Sequence, residues 1–122
     1  MTEYAPIPAG IIIWTEPNRF EVLVDFYVRT LGMTPTSRRV GHVAFSQEGF
    51  RLILGVHDEV TGRNANPLRI MINLAVANIH EAVARLEGVP LIRPPEREDW
   101  GGWIATLSDP DGNTVQLLQL PE

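Results

Sequence analysis

The side chains best suited to proton transfer or metal ligation in this 122-residue chain are its three histidines, His42, His57 and His80. Imidazole titrates near neutral pH and ligates transition metals. The three fall in different predicted elements, with no i, i+4 pair and no His-x-Glu pattern, so a three-histidine metal site is not expected. His57 keeps the capacity to act as a lone base. Asp109-Pro110-Asp111-Gly112-Asn113 gathers carboxylates, but its residue types build a turn. Pro110 presets φ, Asp109 can accept a backbone hydrogen bond and Gly112 supplies a positive φ. Neither Asp109 nor Asp111 is assigned to catalysis. Glu96, Glu98 and Asp99 read as a solvated charged loop. Gly101-Gly102 reads as a bend between Trp100 and Trp103. The chain contains no Gly-x-Ser-x-Gly elbow, Walker loop or Gly-x-Gly-x-x-Gly.

Composition narrows the classes further. Apolar residues make up 44 % and charged residues 20 %, which suits one folded domain and excludes disorder. Ten basic against 15 acidic residues give a net charge of −5, so a phosphate backbone is repelled and nucleic acid is not an expected partner. The absence of Cys removes disulfides, thiolate nucleophiles and Cys-ligated zinc. No apolar run approaches the ~20 residues of a membrane span, and Met1-Thr2-Glu3-Tyr4 lacks the start of a signal peptide. A soluble, cytoplasmic protein is expected.

The elements that must position these groups recur in order. Residues 1–9, with Pro6 and Pro8, read as an extended arm. Ile11 to Trp14 is a β-branched, aromatic strand. Asn18 with Glu21 forms a capping-box signature, and Phe20, Leu23, Val24, Tyr27, Val28 and Leu31 keep helical spacing. A helix over 18–31 ending at Gly32 follows. A weak strand over 33–40, broken by Pro35, precedes a hairpin of 42–47 and 50–57 turned by Glu48-Gly49. Residues 58–68 are the credible linker. Arg69 to Val76 is then a strand, and Asn78 with Glu81 opens a second helix carrying Ile79, Ala82, Val83 and Leu86 and ending at Gly88. Strands follow at 90–93, 103–108 and 113–120. The two Asn/Glu pairs share an offset of 60 positions. The chain thus reads as strand, helix and three strands, twice over.

Asp109-Pro110-Asp111-Gly112-Asn113 followed by Thr-Val-Gln-Leu-Leu-Gln resembles the C-terminal signature of the vicinal oxygen chelate superfamily, which includes glyoxalase I, bleomycin-resistance proteins and extradiol dioxygenases. Phe26-Tyr27 through Leu31-Gly32-Met33 resembles its first-helix signature, and Asn78-Ile79 through Leu86 its second. The resemblance runs from about Ile11 to Gln119. It implies an α+β fold: two βαβββ modules forming a cupped, barrel-like mixed sheet with helices outside. A single domain over 1–122 is expected, with module 1 at about 10–57, a linker at 58–68 and module 2 at about 69–120.

The resemblance also marks where metal ligands would lie. The first-strand position falls near Ile12, the one opening the second module at Met71 and the last at Gln116. The fourth strand, Arg51-Leu52-Ile53-Leu54-Gly55-Val56, offers no carboxylate or His. No metal and no cofactor are expected. The cleft would instead be lined by Ile12, Trp14, Phe45, Leu54, Met71, Asn73, Trp100, Trp103 and Gln116. Aromatic rings would supply stacking area, and the two amides orientation. The first reading is a metal-independent protein that binds a small organic ligand, an aromatic or amphipathic compound such as an antibiotic, and sequesters it as a homodimer. A cationic ligand would suit the net charge. The alternative is a lyase, isomerase or dioxygenase-like enzyme of the same superfamily with an atypical site using His42 or His57. A structural or regulatory dimer with a filled cavity is a third reading.

Overall fold

The computed structural model describes residues 8–122. The chain divides between Thr61 and Gly62, inside the expected linker, into two compact units. Each unit is a βαβββ module with its own four-stranded mixed sheet. The N-terminal segment Met1–Tyr4 and most of the expected arm lie outside the described residues.

In the first unit, β1 (Gly10–Thr15) runs parallel to β4 (Phe50–Val56), and β3 (His42–Gln47) joins β4 to the short β2 (Ser37–Arg39). The strand order is β1-β4-β3-β2. Glu48 and Gly49 close the β3–β4 hairpin with φ of 50° and 83°, the two positive values of a type I′ turn, whose twist matches the strands it joins. The helical run between β1 and β2 has three parts. Pro17–Arg19 is a 3-10 turn, α1 spans Phe20–Asp25, and Phe26–Thr30 continues as a π-helical turn. Phe20, Leu23, Val24, Phe26 and Tyr27 are its buried side chains, and α1 packs on β4. The fully buried Tyr27 ring stands edge-on to Phe26 at 5.4 Å and lies 6.5 Å from Phe45.

Two expectations fail here. The cap at Asn18 does not form: Glu16 holds the extended conformation before the helical run and Asn18 lies inside the 3-10 turn. Pro17 takes the first helical position, where its fixed φ fits and its missing N–H costs nothing, and so moves the start forward. The weak strand over 33–40 shrinks to Ser37–Arg39.

In the second unit, β5 (Met71–Ala75) runs parallel to β8 (Thr114–Gln119). β7 (Trp103–Ser108) and β6 (Leu91–Arg97) complete the order β5-β8-β7-β6. The helix α2 (Ile79–Ala84) is capped as expected, with Asn78 Oδ1 accepting the Glu81 N–H at 3.1 Å. It packs over β6, β7 and β8, and the Ile79 N–H donates to Gln119 Oε1 at 2.7 Å. The expected strand 90–93 extends to Arg97, through Pro94-Pro95. Being an edge strand, β6 tolerates prolines, and its register shifts at Arg93 and Glu96. The extension takes Glu96 into a strand, while Glu98 lies in the loop just beyond it. Arg93 bridges both, at 2.6 and 2.9 Å. Those two carboxylates hold the guanidinium's pKa above its ordinary value, with the Glu96 hydrogen bond the largest cause.

Asp109 organises the β7–β8 turn. Its Oδ1 accepts the backbone N–H of Asp111 and of Asn113, each at 2.9 Å, and its Oδ2 accepts Asn113 Nδ2 at 2.8 Å. Gly112 takes φ of 81° there. The linker is tied to the same turn, through Asn64 N–H to the Asp111 carbonyl at 2.8 Å and Asn64 Nδ2 to Asn113 Oδ1 at 2.9 Å.

Candidate ligand-binding faces

Each sheet has one face under its helix and one face turned away from it. Alternation and register assign every strand residue to one of the two. In the first sheet, Ile13, Leu54, Val43 and Phe45 lie under the helix, and the other face carries Ile12, Trp14, Ile53, Gly55, Ala44 and His42. We call the latter the open face.

Register makes a row across the open face of the first sheet. Trp14 pairs with Gly55, Gly55 with His42, and His42 with Arg39. The Trp14 indole lies across Gly55, where a methyl group would come within 2.7 Å of the ring. Glycine is therefore what lets the ring approach the strand so closely there. The indole keeps 43 % of its surface exposed and stands edge-on to His57 at 5.3 Å. His57 Nδ1 accepts the Glu59 N–H at 3.1 Å, which places the proton of the neutral ring on Nε2. His42 Nδ1 is buried without a hydrogen-bond partner. Burial, and then the guanidiniums of Arg39 and Arg51, push the His42 pKa below its ordinary value. Both effects disfavour the imidazolium.

The open face of the second sheet has different chemistry. Asn73 pairs in register with Gln116, and Gln116 with Thr106. Gln116 Nε2 donates to Asn73 Oδ1 at 2.8 Å. That leaves Gln116 Oε1 as an acceptor and Asn73 Nδ2 as a donor, side by side. Met71 and Thr114 form the next register pair on this face.

The structure sorts the nine expected pocket residues. Ile12 and Trp14 share one open face; Met71, Asn73 and Gln116 share the other. Phe45 and Leu54 do not join Ile12 and Trp14. They lie on the helix side, 6 % and 0 % exposed, as core. Trp103 likewise faces the helix, where His80 meets it edge-on at 4.9 Å. Trp100 lies beyond the strands, its ring laid against Gly102. Arg39, Arg51 and Gly55, together with Thr106 and Thr114, join the open faces without having been expected there. For Gly55 the signal was the period-2 alternation of 51–57 anchored by the Glu48-Gly49 turn.

The metal positions can be tested on their donors. Ile12 has none, Met71 offers a thioether, and Gln116 offers one neutral amide oxygen, its Nε2 being the atom that bonds Asn73. Among the described residues no group of three or more His, Cys, Asp or Glu is placed to hold a metal ion. Zinc, iron and nickel need imidazole, thiolate or carboxylate donors, so these residues do not fit a resident divalent metal. Among the described residues no helix is long and apolar enough to cross a membrane.

Comparison with known proteins agrees with the module order. A family model described as the Glyoxalase/Bleomycin resistance protein/Dioxygenase superfamily matches residues 17–117. A bleomycin resistance protein of Klebsiella pneumoniae is 50 % identical over 32 residues, a stretch covering 26 % of this chain and 25 % of that protein. A glyoxalase family structure from Bacillus anthracis superposes with a TM-score of 0.74 at 19 % identity, covering 98 % of both chains. A glyoxalase-related enzyme from Fulvimarina pelagi gives a TM-score of 0.72 at 22 % identity, covering 95 % of this chain and 89 % of that one. At these identities the two structures establish a shared fold.

Proposed function

Because the chain belongs to the glyoxalase/bleomycin resistance protein/dioxygenase superfamily, we propose that it works as a metal-independent binder of a small planar organic molecule. The observation that carries this reading is the Trp14 indole, half exposed and packed against Gly55 on the open face of the first sheet. A large aromatic surface fixed by backbone contact offers stacking area at little entropic cost. Ile12 and Ile53 extend the apolar floor beside it. The second sheet, by itself, offers the remaining acceptor and donor of its Asn73–Gln116 pair to an amide-like group. Sequestration of such a compound is the activity this arrangement suits; the Klebsiella relative is named a bleomycin resistance protein. The exposed apolar side chains Leu68, Ile70 and Ile92 suit an interface between copies of the chain, so the proposal includes a homodimer, read by sedimentation.

The test is calorimetric titration with 2-naphthylmethanol, an uncharged planar probe. Binding to the native chain and its loss in Trp14→Ala are expected. Absence of binding, or equal binding by Trp14→Ala, overturns the reading. Metal titration supplies an independent check. Zinc, nickel, manganese and iron(II) are expected to leave the melting temperature unchanged, whereas a tight ligand at ~100 times Kd would add about 2.7 kcal/mol.

A further inference from the structure

The chain is acidic overall, but the strands of its first sheet are not. β1 to β4 read GIIIWT, SRR, HVAFSQ and FRLILGV, with three arginines and no Asp or Glu. Arg38 faces the helix side, where it meets Glu21 at 3.5 Å. Arg39 and Arg51 fall on the open face, by their register with His42 and Ser46. Neither makes an ion pair or side-chain hydrogen bond among the described residues. Both are close enough to His42 to depress its affinity for a proton. The face therefore carries two guanidiniums without an ion pair among the described residues and an imidazole whose pKa they help to lower.

The floor between these charges is shallow. Gly55, Ala44 and Ser46 put small residues along its centre, with Ile12 and Ile53 beside them. Trp14 forms a flat aromatic wall at one end of the row, and Arg39 stands at the other. Four strands at ~4.8 Å spacing separate these ends by roughly 14 Å, and the Trp14 ring lies against Gly55 between them. That span fits a fused aromatic ring with an acidic group on its edge.

We propose that the open face of the first sheet selects planar aromatic carboxylates: the ring packs against Trp14, and the carboxylate meets the guanidiniums of Arg39 and Arg51. This rests on the small-molecule reading above and fixes the ligand's charge. It reverses the cationic ligand that the net charge of −5 suggested, because a ligand responds to the charges it meets at contact range and salt screens the rest beyond about 8–10 Å.

Three probes of one shape test it by calorimetry: 2-naphthoate, 2-naphthylmethanol and 2-naphthylmethylamine. The carboxylate is expected to bind about tenfold tighter than the amine, since it gains two partly solvated ion pairs where the amine meets repulsion. Arg39→Gln and Arg51→Gln should each weaken 2-naphthoate about two- to fivefold and leave 2-naphthylmethanol unmoved. Arg38→Gln, on the other face, should change neither. The preference should shrink as salt is raised. Equal affinity for carboxylate and amine, or no effect of either arginine variant, overturns the charge assignment. If the alcohol still binds through Trp14 in that case, the small-molecule reading stands alone. If none of the probes binds, both fall.

Discussion

The two modules carry the same helix-start signature, Asn18 with Glu21 and Asn78 with Glu81, and only the second forms the cap. Asn78 is extended, with φ of −140° and ψ of 109°, and its side chain accepts the Glu81 N–H. Asn18 follows a proline that has already begun the helical run, so its own backbone is helical and its side chain caps nothing. Spacing alone does not make a cap; the residue before it decides whether the backbone is free to be extended. The open faces differ in the same way. One register pattern places tryptophan, histidine and arginine on the first sheet and amides and hydroxyls on the second.

The sharpest contrast lies in the hairpin turns. The β7–β8 turn hangs on one carboxylate that accepts three hydrogen bonds and is 3 % exposed. Asp109→Ala leaves two backbone N–H groups and the Asn113 amide without that partner, and should cost about 2–4 kcal/mol in urea or thermal unfolding. The β3–β4 turn holds no such hub. Glu48 occupies a positive φ of 50° without a glycine's freedom, so Glu48→Gly should be neutral or stabilising by up to about 1 kcal/mol. Comparable losses from both substitutions would remove the contrast.

The helix starts give the next effect. Asn78→Ala should cost about 1 kcal/mol, the usual worth of a side-chain cap, and Asn18→Ala should stay within about 0.5 kcal/mol, as for an exposed residue. Denaturant midpoints of the two variants read this directly. Equal losses would mean that Asn18 supports the first helix by some route other than capping.

What the sequence made legible was what local chemistry decides. The β3–β4 hairpin follows from alternation and from Glu48-Gly49. The Asp109 turn follows from its residue types, and the second helix from Asn78 and Gly88. What it hid was non-local. Phe45 and Leu54 alternate as cleanly as Ile12 and Trp14, and parity cannot say which set lies under a helix. Trp103 has the same ambiguity, settled only when α2 brings His80 against it. The expected strand stops at 93, whereas β6 runs on through Pro94 and Pro95, which it can hold because it lies at an edge. The arginines of the first open face gave no local signal, because what matters is that neither meets a carboxylate among the described residues of the folded sheet.

The smallest effect separates the two open faces by titration. The Asn73–Gln116 pair on the second sheet has nothing to titrate near neutral pH. On the first sheet, His42 is held below its ordinary pKa of 6.5 by burial, then by Arg39 on β2 and Arg51 on β4. The unfolded chain takes up this proton near 6.5, and the folded chain only at lower pH. Between those two values the unfolded state binds more protons, so stability rises with pH there. The contribution is complete above 6.5 and is lost as pH falls through the folded value. His42→Gln, which cannot take up that proton, should flatten this part of the pH–stability curve between pH 5 and 7. Arg39→Gln should flatten it in part, because one of the two guanidiniums is gone and burial remains. Asn73→Ala should leave its slope unchanged. Urea unfolding of the three variants at half-unit steps of pH measures all of this, and parallel curves for native and His42→Gln would show that the imidazole is not held neutral by its surroundings.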